Sequence, residues 1–148
     1  MKKLIIILIS AMACTVLQAQ SPKASFDRME LIVSDLAKSV EFYTKALGFA
    51  KMKDAEGNEL PDKLENEAGR QIHLIQGDIP EQEKTKSVHI IFSITALHPF
   101  TSNLNTLGIP YENQEGEPGK VTIGSRGVRH IYFQDPDGYW IEVNDKID

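Results

Sequence analysis

Cysteine is nearly missing: Cys14 is the one example in 148 residues, and it sits inside the first apolar run. A disulfide framework and a thiolate metal cluster are therefore excluded for the rest of the chain. Long hydrophobic runs are missing too. Leu4 to Leu17 is almost wholly apolar, yet it falls short of the ~20 residues a membrane-spanning helix needs. Met1-Lys2-Lys3 precedes the run and the polar "QAQSPK" follows it, with Ala19 at a cleavage position. That is the layout of a secretory signal peptide over residues 1–20, rather than of a retained anchor. Cys14 after Ala11-Met12-Ala13 resembles a lipoprotein box but lacks the branched residue usual at its first position. Cleavage after Ala19 or Gln20 is the preferred reading. The mature protein is then expected outside the cytoplasm, secreted or periplasmic, with no stable membrane span.

Basic charge is also scarce. Without Lys2 and Lys3 the chain keeps 14 basic against 21 acidic residues, a net charge of −7 with His neutral. No basic stripe or polybasic tail is present, which argues against nucleic acid and for a small-molecule substrate or ligand. Apolar content of 41% and charged content of 25% fit a single globular domain, placed at residues 25–147.

What the chain does contain is an internal repeat. "RMELIVSDL" from Arg28 lies over "HIIFSITAL" from His89 at an offset of 61. Each segment alternates like a strand and runs into a helical pattern. In the first copy Ser34 or Asp35 can cap a helix whose apolar face is Leu36, Val40, Tyr43 and Leu47. In the second, Pro99 falls in the first turn, and Phe100, Leu104 and Leu107 form the stripe. "LGF" and "LGI" end the two helices, with Gly suited to a left-handed stop. Later, "QIHLI" from Gln71 lies over "WIEVN" from Trp140 at an offset of 69, so His73 falls on Glu142. The roughly eight extra residues fit the Gly-rich, charged "ENQEGEPGKVTIGSRG".

Each half therefore reads as βαβββ, an α+β protein of two modules forming a curved, open, barrel-like mixed sheet with helices outside and a cleft inside. Val121–Ile123, Val128–Gln134 and Tyr139–Asn144 are the well-marked late strands. "DAEGNELPDKLENEAGR", from Asp54, reads as a solvated, mobile loop. Parity sets Arg28, His73, His89 and Glu142 opposite their apolar neighbours, so the last three are expected to converge inside the cleft. Two imidazoles and one carboxylate suit a divalent ion: Zn, Ni, Mn or Fe. His130 either lines the pocket or faces solvent, and His98 reads as part of a helix start.

"LIVSDLAKSVEFYTKALGF", "VHIIFSI" and "IYFQDPDGYWIEVND", in this order and spacing, resemble the vicinal oxygen chelate superfamily: glyoxalase I, fosfomycin and bleomycin resistance proteins and extradiol dioxygenases. The resemblance covers roughly Phe26 to Lys146. It implies paired βαβββ modules, pairing of chains into homodimers, and His73, His89 and Glu142 as metal ligands, with Glu142 also able to shuttle a proton. Arg28 stands where the family usually has His, and a guanidinium has no lone pair to give. Three readings stay open at that position. The three ligands suffice and Arg28 steadies an anionic group of the substrate; Glu30 leans in as a fourth ligand; or the metal is lost and Arg28 pairs with Glu142 or grips an anionic ligand. The implied function is a divalent-metal-dependent enzyme acting on a small oxygen-rich substrate, a lactoylglutathione-lyase-like lyase or isomerase, or a dioxygenase. The alternative is a metal-free sequestering protein whose pocket holds its ligand against Tyr132, Phe133 and Trp140.

Overall fold

Strand β1 (Arg28–Val33) shows why the first module folds as it does. Leu31 and Val33 are buried on one side, while Arg28, Glu30 and Ile32 stand on the other. Helix α1 (Leu36–Leu47) follows at once, capped by Asp35, whose carboxylate accepts from the Lys38 N–H at 3.1 Å. Gly48 stops it at φ 73°, a conformation that a residue with a Cβ adopts at a cost. The face α1 buries is Ser39, Phe42, Tyr43 and Ala46, rotated slightly from the stripe the sequence suggested. The chain returns through β2 (Ala50–Lys53), β3 (Glu59–Glu65) and β4 (Gln71–Gln76), giving a sheet in the order β1-β4-β3-β2. The second module repeats the plan with β5 (His89–Ser93), α2 (Leu97–Leu107), β6 (Thr122–Ile123), β7 (Arg129–Gln134) and β8 (Trp140–Asn144), in the order β5-β8-β7-β6. In both modules the first strand runs parallel to the last. The duplication read from the sequence is thus the architecture of the molecule.

The structure, a computed structural model, describes residues 25–79 and 84–146. The expected signal peptide lies outside the described residues, as do the last two positions. Among those described, no helix is long and apolar enough to cross a membrane.

One stretch departs from expectation. Asp54 to Arg70 is not a loop: it holds β3 between two tight turns. Asp54 closes the first by accepting from the N–H groups of Glu56 and Asn58. Asn66 closes the second by accepting from those of Ala68 and Arg70. The strand hides because only Leu64 is fully buried, and Asp62 interrupts the apolar alternation on its side.

The helix-facing sides of both sheets meet in one core. Leu31, Val33, Leu64, Ile72 and Leu74 from the first sheet join Ile131, Phe133, Ile141 and Val143 from the second. Ring contacts cross the module boundary, Phe42 to Phe133 at 6.2 Å and Phe49 to Phe92 at 5.9 Å between centroids. Burying an aromatic side chain such as Phe133 contributes about 1.5–3 kcal/mol. The other face of each sheet, free of helix, points away from that core.

Candidate metal and ligand site

The helix-free face of the second sheet carries a polar row set by strand register. Glu142 on β8 has Ile91 of β5 on one side and Tyr132 of β7 on the other. Glu112 bridges to Tyr132 one place further out. Neighbouring rows bring His89 beside Trp140, and Ser93 beside Asn144 and His130.

Within this row the contacts are close. His89 Nε2 lies 3.1 Å from Glu142 Oε2, and both side chains are largely shielded from solvent. His89 Nδ1 lies 2.6 Å from the Lys86 carbonyl oxygen, which can only accept. Nδ1 therefore carries the proton, and in the neutral ring Nε2 turns a lone pair toward a carboxylate. Two lone pairs at that separation repel unless a cation, a proton or a metal, sits between them. Between them the pair offers two of the donor atoms that could hold a divalent ion. The Tyr132 hydroxyl donates to Glu142 Oε2 at 2.8 Å, and Asn144 Nδ2 donates to Oε1 at 3.2 Å. Burial pushes the Glu142 carboxyl up, but these two donors together with nearby His130 and His89 outweigh it and hold it below its ordinary value. Burial and the adjoining Glu142 push the Tyr132 phenol up to about 12, so it remains a donor.

A lysine completes the neighbourhood. Lys86 Nζ pairs with Glu112 at 2.5 Å and lies over the rings of Tyr132 and Trp140, 5.3 and 5.1 Å from their centroids. The Trp140 indole N–H donates to the Lys84 carbonyl at 3.0 Å. The segment entering β5 is thus tied to both sides of the row. Sequence reasoning passed over Lys86, Glu112 and Asn144. The parity that selected Glu142 also selects Asn144, whereas the other two are brought in by loops.

The remaining candidates lie elsewhere. His73 is on β4 of the first sheet, between Glu30 and Lys63. Since the two sheets share a core through their opposite sides, His73 does not join His89 and Glu142 within one chain. Among the described residues no three His, Cys, Asp or Glu side chains gather to hold a metal ion. Yet His73 Nε2 is buried without a hydrogen-bond partner, a polar atom left unsatisfied. Arg28 pairs with Asp27 at 2.7 Å and Glu30 at 3.0 Å, not with Glu142, and Glu30 is thereby engaged on the first sheet, away from His89 and Glu142. Phe133 is corrected outright as a ligand contact: at 1% exposure it belongs to the core, because adjacent strand residues cannot share a face with Tyr132. His130 is not simply solvent-facing but packs edge-on against Tyr132 at 5.7 Å, on the site's own face. His98 lies in the first turn of α2, as read.

The family model described as the glyoxalase/bleomycin resistance protein/dioxygenase superfamily matches residues 25–143. The chain belongs to that superfamily. A probable lactoylglutathione lyase of Vibrio cholerae is 30% identical over 122 residues, spanning 76% of this chain and 84% of that protein. A protein named glyoxylase I 4 of Arabidopsis thaliana is 27% identical over 125 residues, spanning 80% of this chain and 69% of the relative. Among solved structures, the fosfomycin resistance protein FosX of Listeria monocytogenes superposes with a TM-score of 0.66 at 23% identity, over 85% of this chain and 96% of that one. The same protein in complex with Mn(II) and sulfate gives a TM-score of 0.65 at 22% identity, over 85% and 93%. These likenesses carry the superfamily fold.

Proposed function

We propose that this superfamily member is a divalent-metal-dependent enzyme of glyoxalase type, a lyase or isomerase acting on a small oxygen-rich substrate outside the cytoplasm. The observation that carries the reading is the His89–Glu142 pair, whose Nε2 and Oε2 lie 3.1 Å apart, close enough to grip one cation together. The orphaned Nε2 of His73 supplies a third donor of the right kind. The relative named as a probable lactoylglutathione lyase and the Mn(II) complex of FosX support the same class. A bound ion would act as a Lewis acid toward vicinal oxygens of the substrate. Glu142 is also the group placed to shuttle a proton, once it loosens from the two donors that hold it deprotonated, and Trp140 offers the substrate an apolar wall.

The third donor reaches the pair only from another molecule. The first sheet of one copy, bearing His73, would face the second sheet of its partner, making a homodimer in which each site draws on both chains. The faces to be joined carry exposed Ile32, Ile75 and Ile91, at 37%, 48% and 57%, as surfaces awaiting cover do.

The competing reading, a metal-free sequestering protein, is favoured by one observation: Tyr132 and Trp140 present ring faces to the Lys86 ammonium, a ready cradle for a flat ligand. Metal content decides between the two. The protein purified without chelator should hold about one Ni²⁺, Zn²⁺, Mn²⁺ or Fe²⁺ per chain, lost in His89→Ala and in Glu142→Ala. A wild-type protein that takes up none of the four ions after soaking leaves the sequestering protein standing.

A further inference from the structure

We propose that Tyr132 and Asn144 are positioning residues that hold the Glu142 carboxylate in its ion-gripping orientation; the proposal rests on the metal reading above. A glutamate side chain has three rotatable bonds, so a ligand role needs its oxygens fixed before the ion arrives. Here each oxygen has its own donor. The Tyr132 hydroxyl, directly across the strand pair, donates to Oε2, and the Asn144 amide, two residues along β8, donates to Oε1. Asn144 anchors Oε1 while Oε2, which also accepts from Tyr132, is the oxygen turned to His89 Nε2 with a second lone pair to give.

The orientation of Asn144 is itself determined. Its Oδ1 accepts from Ser93 Oγ at 3.1 Å and from the Lys146 backbone N–H at 3.2 Å. A backbone N–H can only donate, so the carbonyl end of the amide must face it and the NH₂ end must face Glu142. Asn144 is 8% exposed, which shields this arrangement from competing water. Ser93, Asn144, Glu142 and Tyr132 thus form one line of hydrogen bonds along the helix-free face, ending at the lone pair the ion would take. The phenol has a single proton, and it is committed to Glu142.

Calorimetric titration of the metal-free protein with Ni²⁺ tests this, alongside its thermal midpoint without metal. Tyr132→Phe removes only the hydroxyl, and Asn144→Leu keeps the side chain's size while removing the amide. Each should weaken Ni²⁺ binding about 10-fold or more, the usual effect of losing a ligand's supporting hydrogen bond. The metal-free midpoint of Tyr132→Phe should stay near the wild type's, since a purely structural role would move the midpoint and leave the affinity alone. If wild type and both variants bind Ni²⁺ within about twofold of each other, the positioning role is wrong while the metal reading stands. If the wild type binds no Ni²⁺, the metal reading falls and takes this inference with it.

Discussion

Tyr43 is fully buried, and its hydroxyl has one acceptor, Asp135 Oδ2 at 2.9 Å. Burial raises the pKa of both groups, so neither gives up its proton as readily as it would in water. Removing the hydroxyl in Tyr43→Phe leaves Asp135 short of a donor in a place water does not reach. The expected cost is about 1–3 kcal/mol of unfolding free energy, read as a lower urea midpoint at unchanged slope. No change in midpoint would show that Asp135 finds another donor. At this scale the sequence was informative where a side chain's role follows from strand parity. Alternation sets Arg28, His73, His89 and Glu142, with Trp140 beside it, opposite the buried strand residues, and the structure has them on the helix-free faces. The same parity puts Phe133, next to Tyr132 on β7, on the core side with Ile141, where an aromatic ring cannot line a ligand pocket. Arg28's pairing was illegible: guanidinium partners depend on which carboxylates neighbour it in space, and Asp27 and Glu30 were nearer than Glu142.

The element that joins the modules is the turn Asp135-Pro136-Asp137-Gly138. Gly138, at φ 82°, lets it reverse tightly. Asp137 then reaches back about a hundred residues, accepting from the Ser34 N–H and hydroxyl and from the buried Ser39 hydroxyl at 3.1 Å. Asp135 accepts from its own turn's N–H groups at Asp137 and Tyr139 and from Tyr43. A turn was legible from the residue types, but not its hold on α1, because no local pattern encodes a contact at that separation. The hold has a pH signature. Asp135's folded pKa lies above its ordinary 3.8, with burial as the leading cause. As pH rises from 3.8 through that raised value the unfolded chain releases the proton first, so this residue's contribution to stability falls. Asp135→Asn has no such ionisation. The stability of wild type relative to Asp135→Asn should therefore be greater near pH 4 than at pH 7, measured by urea unfolding at both. The lowered carboxyls Asp35, Asp54, Glu59, Glu142 and Asp145 act in the opposite direction but are common to both proteins, and cancel in the difference. A difference independent of pH would mean that Asp135 ionises normally.

Across the whole molecule, two like modules were readable because duplication leaves matching strings at fixed offsets. The relation between them was not. Whether the helix-bearing or the helix-free sides of the two sheets share a core depends on the summed packing of Phe42, Phe49, Phe92 and Phe133, none of which announces its partner in the sequence. Because the helix-bearing sides meet, the face with His73 and the face with His89 and Glu142 are left open in one chain. The homodimer proposed above follows from that arrangement and can be separated from a site complete in one chain. His73→Ala and Glu142→Ala proteins should each fail to hold metal alone. Unfolded together in urea and refolded as a mixture, about half of the dimers would contain one chain of each kind. In such a dimer one site combines both defects, while the other takes its first sheet from the Glu142→Ala chain and its second from the His73→Ala chain, and is intact. Metal binding should therefore return to about a quarter of the wild-type stoichiometry, a fraction set by random pairing and one working site per mixed dimer. In a chain that built its own site, mixing would restore none, since every molecule would carry its own lesion. Mixed dimers that sediment as dimers yet hold no more metal than either parent would end the shared-site account.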